Sequence, residues 1–115
     1  AMDNQSLLRL VRDYKERKVR QGVFAVRCAA SGEAWVGQSR NLDQQQNGVW
    51  FGLRSGGHPN RALQAAWAAH GEAAFAFEVL EAIDDKDLSP YARDNLLKDR
   101  AAHWREALGA TKIVG

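Results

Sequence analysis

The side chains through which this 115-residue chain could do chemistry are few and scattered. Asp99 and His103 stand four residues apart on what reads as the last helix, so they share a face. Such a pair could bind a metal or act as acid and base; the plainer reading is an exposed pair with no role. His58 and Asn60 precede another predicted helix, and the plainer reading of His58 is a loop residue bonded to backbone. The cations are more numerous. "RDYKERKVR" carries Arg12, Lys15, Arg17, Lys18 and Arg20, and Arg27, Arg40, Arg54 and Arg61 follow. A row of this kind suits phosphate contacts, although most such runs are solvated helix faces.

Composition excludes several classes. Apolar residues make up 45% and charged residues 26%, so the chain is expected to fold around one core as a single domain over residues 1–115. A net charge of +2 does not announce nucleic-acid binding, though a basic face can still form locally. The single cysteine, Cys28, allows neither an internal disulfide nor a zinc site. No apolar run approaches the roughly 18–20 residues that span a bilayer, and "AMDNQSLLRL" has no leader pattern. The expected setting is cytoplasmic, with no membrane partner. Gly56-Gly57 lacks the lysine and hydroxyl of a phosphate-binding loop, and no pair among the three histidines has metal-ligand spacing.

The elements that must position these residues are legible. "SLLRLVRDYKERKVRQ" reads as a helix within residues 1–20, with Leu7, Val11 and Tyr14 on one stripe. "GVFAVRC" and "AWVG" read as strands joined by a turn at Ser31-Gly32, an antiparallel hairpin. Asn41 suits a helix cap, with Leu42, Val49, Trp50 and Leu53 on the inner face. Asn60 suits another, over "RALQAAWAAHG", with Ala62, Leu63, Ala66, Trp67 and His70 on one side. "FAFEVLE" alternates as a third strand. Ser89-Pro90 starts a last helix carrying Leu97, Ala101, Trp104 and Leu108 on one stripe and stopping at Gly109. "TKIVG" reads as a tail. The expected fold is α+β: a small three-stranded antiparallel sheet flanked by helices over residues 22–108, with an extra N-terminal helix.

One arrangement of residues goes further. Gly22-Val23-Phe24 on the first strand and Trp35-Val36-Gly37 on the second, followed by "GQSRNL", resemble the GIY-YIG nuclease family. "HPNRALQAAWAAHGEAAFAFEVLE", from His58 to Glu81, is similar to that family's second helix and third strand. The likeness covers Gly22 to about Glu81 and extends loosely into the last helix. It implies phosphodiester cleavage with one divalent ion, Mg2+ or Mn2+, held by an acidic residue of the last helix. It also implies a tyrosine that manages the proton of the attacking water and an arginine that stabilises charge on the phosphate.

Carried over one position at a time, that machinery is substituted. The first tyrosine falls on Phe24, which has no hydroxyl. The second falls on Trp35, whose indole donates a hydrogen bond and accepts none. The arginine falls on Gln45, which is neutral. Losing one transition-state donor typically costs about two to three orders of magnitude in rate. Asp99 is the nearest candidate metal ligand. Arg40 at the mouth of the helix and His58 are the candidate replacements. Arg27, Arg40, Arg54, Asn60 and Arg61 are the candidate nucleic-acid contacts. Trp35 reads as core, with a base-stacking platform as its alternative. Three functions follow: a degenerate nuclease-like domain that binds nucleic acid, a divergent metal-dependent nuclease using Asp99, or an interaction module without nucleic acid.

Overall fold

The computed structural model describes residues 20–83 and 88–113. In order, the elements are β1 (Gln21–Cys28), β2 (Ala34–Ser39), α1 (Leu42–Ser55), α2 (Arg61–His70), a 3-10 turn (Glu72–Ala74), β3 (Phe75–Ile83), α3 (Pro90–Leu108) and β4 (Thr111–Lys112). The expected N-terminal helix lies outside the described residues.

Short polar side chains start the helices. Asn41 Oδ1 accepts from the Gln44 N–H at 3.1 Å, Asn60 Oδ1 from Leu63 at 3.0 Å, and Ser89 Oγ from Ala92 at 3.1 Å. Each bond satisfies a backbone donor that the first helical turn leaves without an internal partner. Gly56 and Gly109 end α1 and α3 in left-handed conformations.

The sheet is larger than the sequence predicts. It has four strands in the order β3-β1-β2-β4. β1 pairs antiparallel with β2 and β3, whereas β4 runs parallel to β2. The segment expected as a tail thus closes one edge. A two-residue strand has no periodicity to read, and its pairing comes from distant groups. The Ile113 N–H donates to the Val36 carbonyl at 3.0 Å. Asn60 Nδ2 donates to the Lys112 and Ile113 carbonyls at 3.1 and 2.9 Å.

Strand alternation gives the sheet two apolar faces. Phe24, Val26, Cys28 and Trp35 point to the side of α1 and α2, where they meet Leu42, Val49, Leu53, Leu63 and Ala66. Val23, Ala25 and Val36 point to the other side and meet Ala101, with Leu80, Trp104 and Leu108 around it. Burial on α2 is confined to the middle of the helix: Leu63, Ala66 and Trp67 turn inward, while Ala62 and His70, expected on the same side, are exposed at the helix ends. Glu81 fastens α3 to the sheet. One of its oxygens accepts from Trp104 Nε1 at 2.9 Å and Arg100 Nε at 2.8 Å. The Trp104 bond, seconded by Arg100, holds the Glu81 carboxyl below its ordinary range.

Two glycines are required by close approach. A Cβ on Gly22, beside the bulge between Val23 and Phe24, would lie 1.9 Å from the Glu81 carbonyl oxygen. A Cβ on Gly37 would lie 2.4 Å from Ile113 Cγ2 and 2.8 Å from Phe24 Cζ. Side chains yield more readily than backbone. Gly37→Ala is therefore expected to cost about 1–3 kcal/mol, the usual range for overpacking, and Gly22→Ala more. Urea unfolding of the two variants, with midpoints compared at constant slope, checks both the sign and the order.

Candidate functional site

Beyond Val36, β2 leaves the cover of β4, and a cleft of about 670 Å³ opens there. Its lining comes from every layer: Phe24, Val36 and Gln38 of the sheet, Gln45 of α1, Lys98, Asp99, Ala101, Ala102 and Arg105 of α3, and Lys112 and Ile113 at the C-terminal edge. Helical spacing explains the α3 contribution. Lys98, Ala101, Ala102 and Arg105 fall on one stripe. Ala101 is buried against the sheet, and Lys98 and Ala102 stand at the exposed margin.

Phe24, Gln45 and Asp99 meet in this cleft. Phe24 is fully buried and stacks on Phe77 with ring centroids 5.0 Å apart, so it contributes an apolar floor and no proton. Gln45 contributes a neutral amide, which donates and accepts but carries no charge. Trp35 is not among the lining residues. It is buried and stacked on Phe75 at 6.5 Å, which removes the stacking-platform alternative. Trp50 and Trp67 pack against each other at the same core.

Most of the remaining candidates have partners within the protein. Arg27 pairs with Glu78 at 2.7 Å and lines a different groove, with Cys28 and Leu108. Arg54 pairs with Glu72. Arg40 pairs with Asp94 at 2.7 Å. Arg61 is exposed on the first turn of α2, outside the cleft. Asn60 spends its amide on the helix cap and the C-terminal edge. His58 is buried, and its Nδ1 accepts from the Asn60 N–H at 3.0 Å. That bond leaves the ring hydrogen on Nε2. Its backbone N–H donates to Gln64 Oε1 at 3.2 Å.

The cations that do line the cleft are Lys98, Arg105 and Lys112. No ion pair engages any of them among the described residues. Sequence reasoning missed all three. The seven-residue spacing of Lys98 and Arg105, which places them on one helix face, is the signal the sequence carries for two of them. Lys112 could not have been found without the parallel pairing of β4.

The same lining bears on a divalent ion. Among the described residues, Asp99 is its only carboxylate, beside three cations and two glutamines. His103 is exposed with its ring edge against Trp104, so Asp99 gains no second ligand from it. Among the described residues no group of three His, Cys, Asp or Glu side chains could hold a metal. A magnesium-like ion can be held by one or two carboxylates completed by water and substrate phosphates; what disfavours it at Asp99 is the company of Lys98, Arg105 and Lys112, whose charges oppose a further cation. None of the described helices is long and apolar enough to cross a membrane.

No family model matches the sequence, and no curated protein matches it. Solved structures do. The chain is similar to the catalytic domain of the intron endonuclease I-TevI in a glutamate-to-alanine mutant, with 24% identity over 78% of this chain and 84% of that one, at a TM-score of 0.64. It is also similar to the catalytic domain of homing endonuclease I-TevI, with 19% identity over 83% and 99% of the two chains, at a TM-score of 0.67. At these identities the likeness is one of fold. The α+β arrangement is that of a GIY-YIG domain, as the Gly22–Gly37 hairpin implied.

The placement of His58 has a consequence for stability. Burial lowers its pKa below the ordinary 6.5. The unfolded chain takes up the proton first, so stability is complete above about pH 6.5 and declines as pH falls from there toward the folded value. An NMR titration of His58 is expected to give a midpoint below 6.5. Urea unfolding at pH 7.5 and pH 5 is expected to show a smaller acid-induced loss in His58→Gln than in the parent. A midpoint at or above 6.5 contradicts the assignment.

Proposed function

We propose that this domain binds nucleic acid through the cleft between β2 and α3 and does not cut it. The observation that carries the reading is the charge of the lining: Lys98, Arg105 and Lys112 face one carboxylate, while the arginines elsewhere are largely neutralised by partners. A concave site with surplus cations concentrates phosphates, and each contact releases a condensed counterion. The GIY-YIG fold gives this cleft its place at the end of the hairpin. What speaks against cleavage is the chemistry at the positions the resemblance assigns. Phe24 offers no proton acceptor, Gln45 no charge, and Asp99 stands alone.

Arg40 and His58 do not restore what is missing. Arg40 does not line the cleft with Phe24, Gln45 and Asp99 but the cavity beside it, and the one acceptor nitrogen of His58 is occupied by the Asn60 N–H. A charge-assisted bond is roughly twice as strong as a neutral one, so Gln45 stabilises a pentavalent phosphate much less than an arginine there would. The second reading, a divergent metal-dependent nuclease, rests on one observation, that Asp99 lines the cleft.

Labelled DNA and RNA, single- and double-stranded, incubated with the protein in Mg2+, Mn2+ or chelator, separate the readings. The expected result is binding that weakens roughly 20–40-fold between 50 and 200 mM salt, as three phosphate contacts require, with intact substrate throughout. Cleavage that disappears on chelation and in Asp99→Ala would establish the nuclease. Absence of both binding and cleavage would leave an interaction module of another kind.

A further inference from the structure

The cleft does not end at Lys98. A second cavity of about 400 Å³ adjoins it, sharing Gln38 and Lys98 and continuing past Ser39, Arg40, Asp94, Asn95 and Leu97. Together they form a groove along α3 from Arg105 to Asp94. At about 1.5 Å per residue this stretch of helix rises roughly 16 Å. At the duplex rise of roughly 3.4 Å per nucleotide of one strand that length spans at most about five phosphates, and an extended strand places fewer along it.

Two kinds of side chain line this groove. Cations are spread along it: Lys112 and Arg105 at one end, Lys98 in the middle, Arg40 at the other. Arg40 is paired with Asp94, but that pair is exposed on both sides, and exposed pairs are worth little. A phosphate can exchange for the aspartate. Neutral amides accompany the cations: Gln45 and Gln38 in the cleft, and Asn95 in the cavity beyond. No hydrogen bond engages these three side-chain amides within the described residues. An amide presents donor and acceptor together, the pattern that matches base edges.

Building on the nucleic-acid reading, we propose that the groove takes a single strand with unpaired bases, its backbone following Lys112, Arg105, Lys98 and Arg40 and its bases meeting Gln45, Gln38 and Asn95. One helix and one strand edge offer a single file of cations, which matches one backbone. A duplex presents two backbones, turns its Watson–Crick edges inward and leaves only its groove edges to such amides, whereas a single strand offers one backbone and every base edge.

The test is fluorescence anisotropy with a labelled 12-nucleotide single strand, as DNA and as RNA, and with its duplex. The single strand is expected to bind at least about tenfold more tightly than the duplex. Lys98→Gln is expected to weaken single-strand binding about tenfold and to lower the salt slope by about 0.7. Gln38→Ala is expected to weaken it with an unchanged slope, because it removes a base contact and no phosphate. His70→Gln, on the exposed end of α2 outside both cavities, is the control and changes neither. Circular dichroism confirms that each variant folds. A duplex bound as tightly as the strand, with the same salt dependence, overturns the single-strand assignment and leaves the nucleic-acid reading standing. An unchanged slope in Lys98→Gln overturns the placement of the strand in this groove. No salt-sensitive binding to any probe overturns both.

Discussion

Phe24 and Ile113 meet over Gly37, and much of the rest is arranged around that contact. The position has no room for a Cβ. Because it is empty, the aromatic ring of β1 can reach across β2 and touch the side chain that follows β4. This contact and the Ile113 N–H bond to Val36 draw the C-terminal segment against the sheet. Asn60 then ties the same segment to the start of α2. One missing methyl group thus links the hairpin, the second helix and the last strand. It also sets where the cleft begins, since Gly37 is where β2 leaves its short partner. Gly22 has the same role on the other edge, where β3 approaches too closely for any side chain. The two glycines of the hairpin are therefore structural requirements, and they persist whether or not the site does chemistry.

The charge distribution follows a related division. Arg27, Arg40 and Arg54 each face an acid. These pairs are exposed, so each contributes at most about 1 kcal/mol, and Arg27 and Arg54 lie outside the cleft. Lys98, Arg105 and Lys112 are left on one concavity. A near-neutral chain can therefore present a local positive field, because what steers an anion is the arrangement of charge and not its sum. Ala101 makes the concavity possible. On a stripe otherwise composed of Leu97, Trp104 and Leu108, it is the one small residue, and it lets α3 lie close to Val36 while leaving space beside it.

Local signals in the sequence carried most of the fold. Asn41, Asn60 and Ser89 start helices where short polar side chains should, and Phe24, Val26, Phe75 and Phe77 alternate as strands must. The hairpin spacing carried the topology. What stayed hidden depended on contacts between distant parts. β4 has two residues, and its pairing is a property of Val36 and Asn60 as much as of Thr111 and Lys112. The candidate site was legible where it rested on motif positions: Phe24, Gln45 and Asp99 do share a cleft. Trp35 reads as core and is core, and its motif position does not bring it to the cleft. The arginines were not legible, since a cation's availability depends on whether an acid lies beside it in space. The basic segment before Arg20 lies outside the described residues.

The substitutions at the hairpin can then be read as a change of currency within one frame. Tyrosine and phenylalanine fill nearly the same volume, so Phe24 keeps the stacking on Phe77 and the contact over Gly37 while losing only the hydroxyl. Tryptophan at position 35 is larger, and it is accommodated by core contacts with Phe75, away from the cleft. Glutamine at position 45 keeps a hydrogen-bonding group of similar reach and drops the charge. Each change spares the packing and alters the chemistry. Removing a buried side chain from this core would cost several kcal/mol, whereas removing a hydroxyl at the cleft floor costs the fold little. Packing therefore constrains these positions by shape, and chemistry constrains them by functional group. At the positions the resemblance implies, Phe24 and Gln45 meet the shape constraint without a hydroxyl or a charge. Under the proposed reading such a cleft serves binding through its concave surface and its surplus of cations.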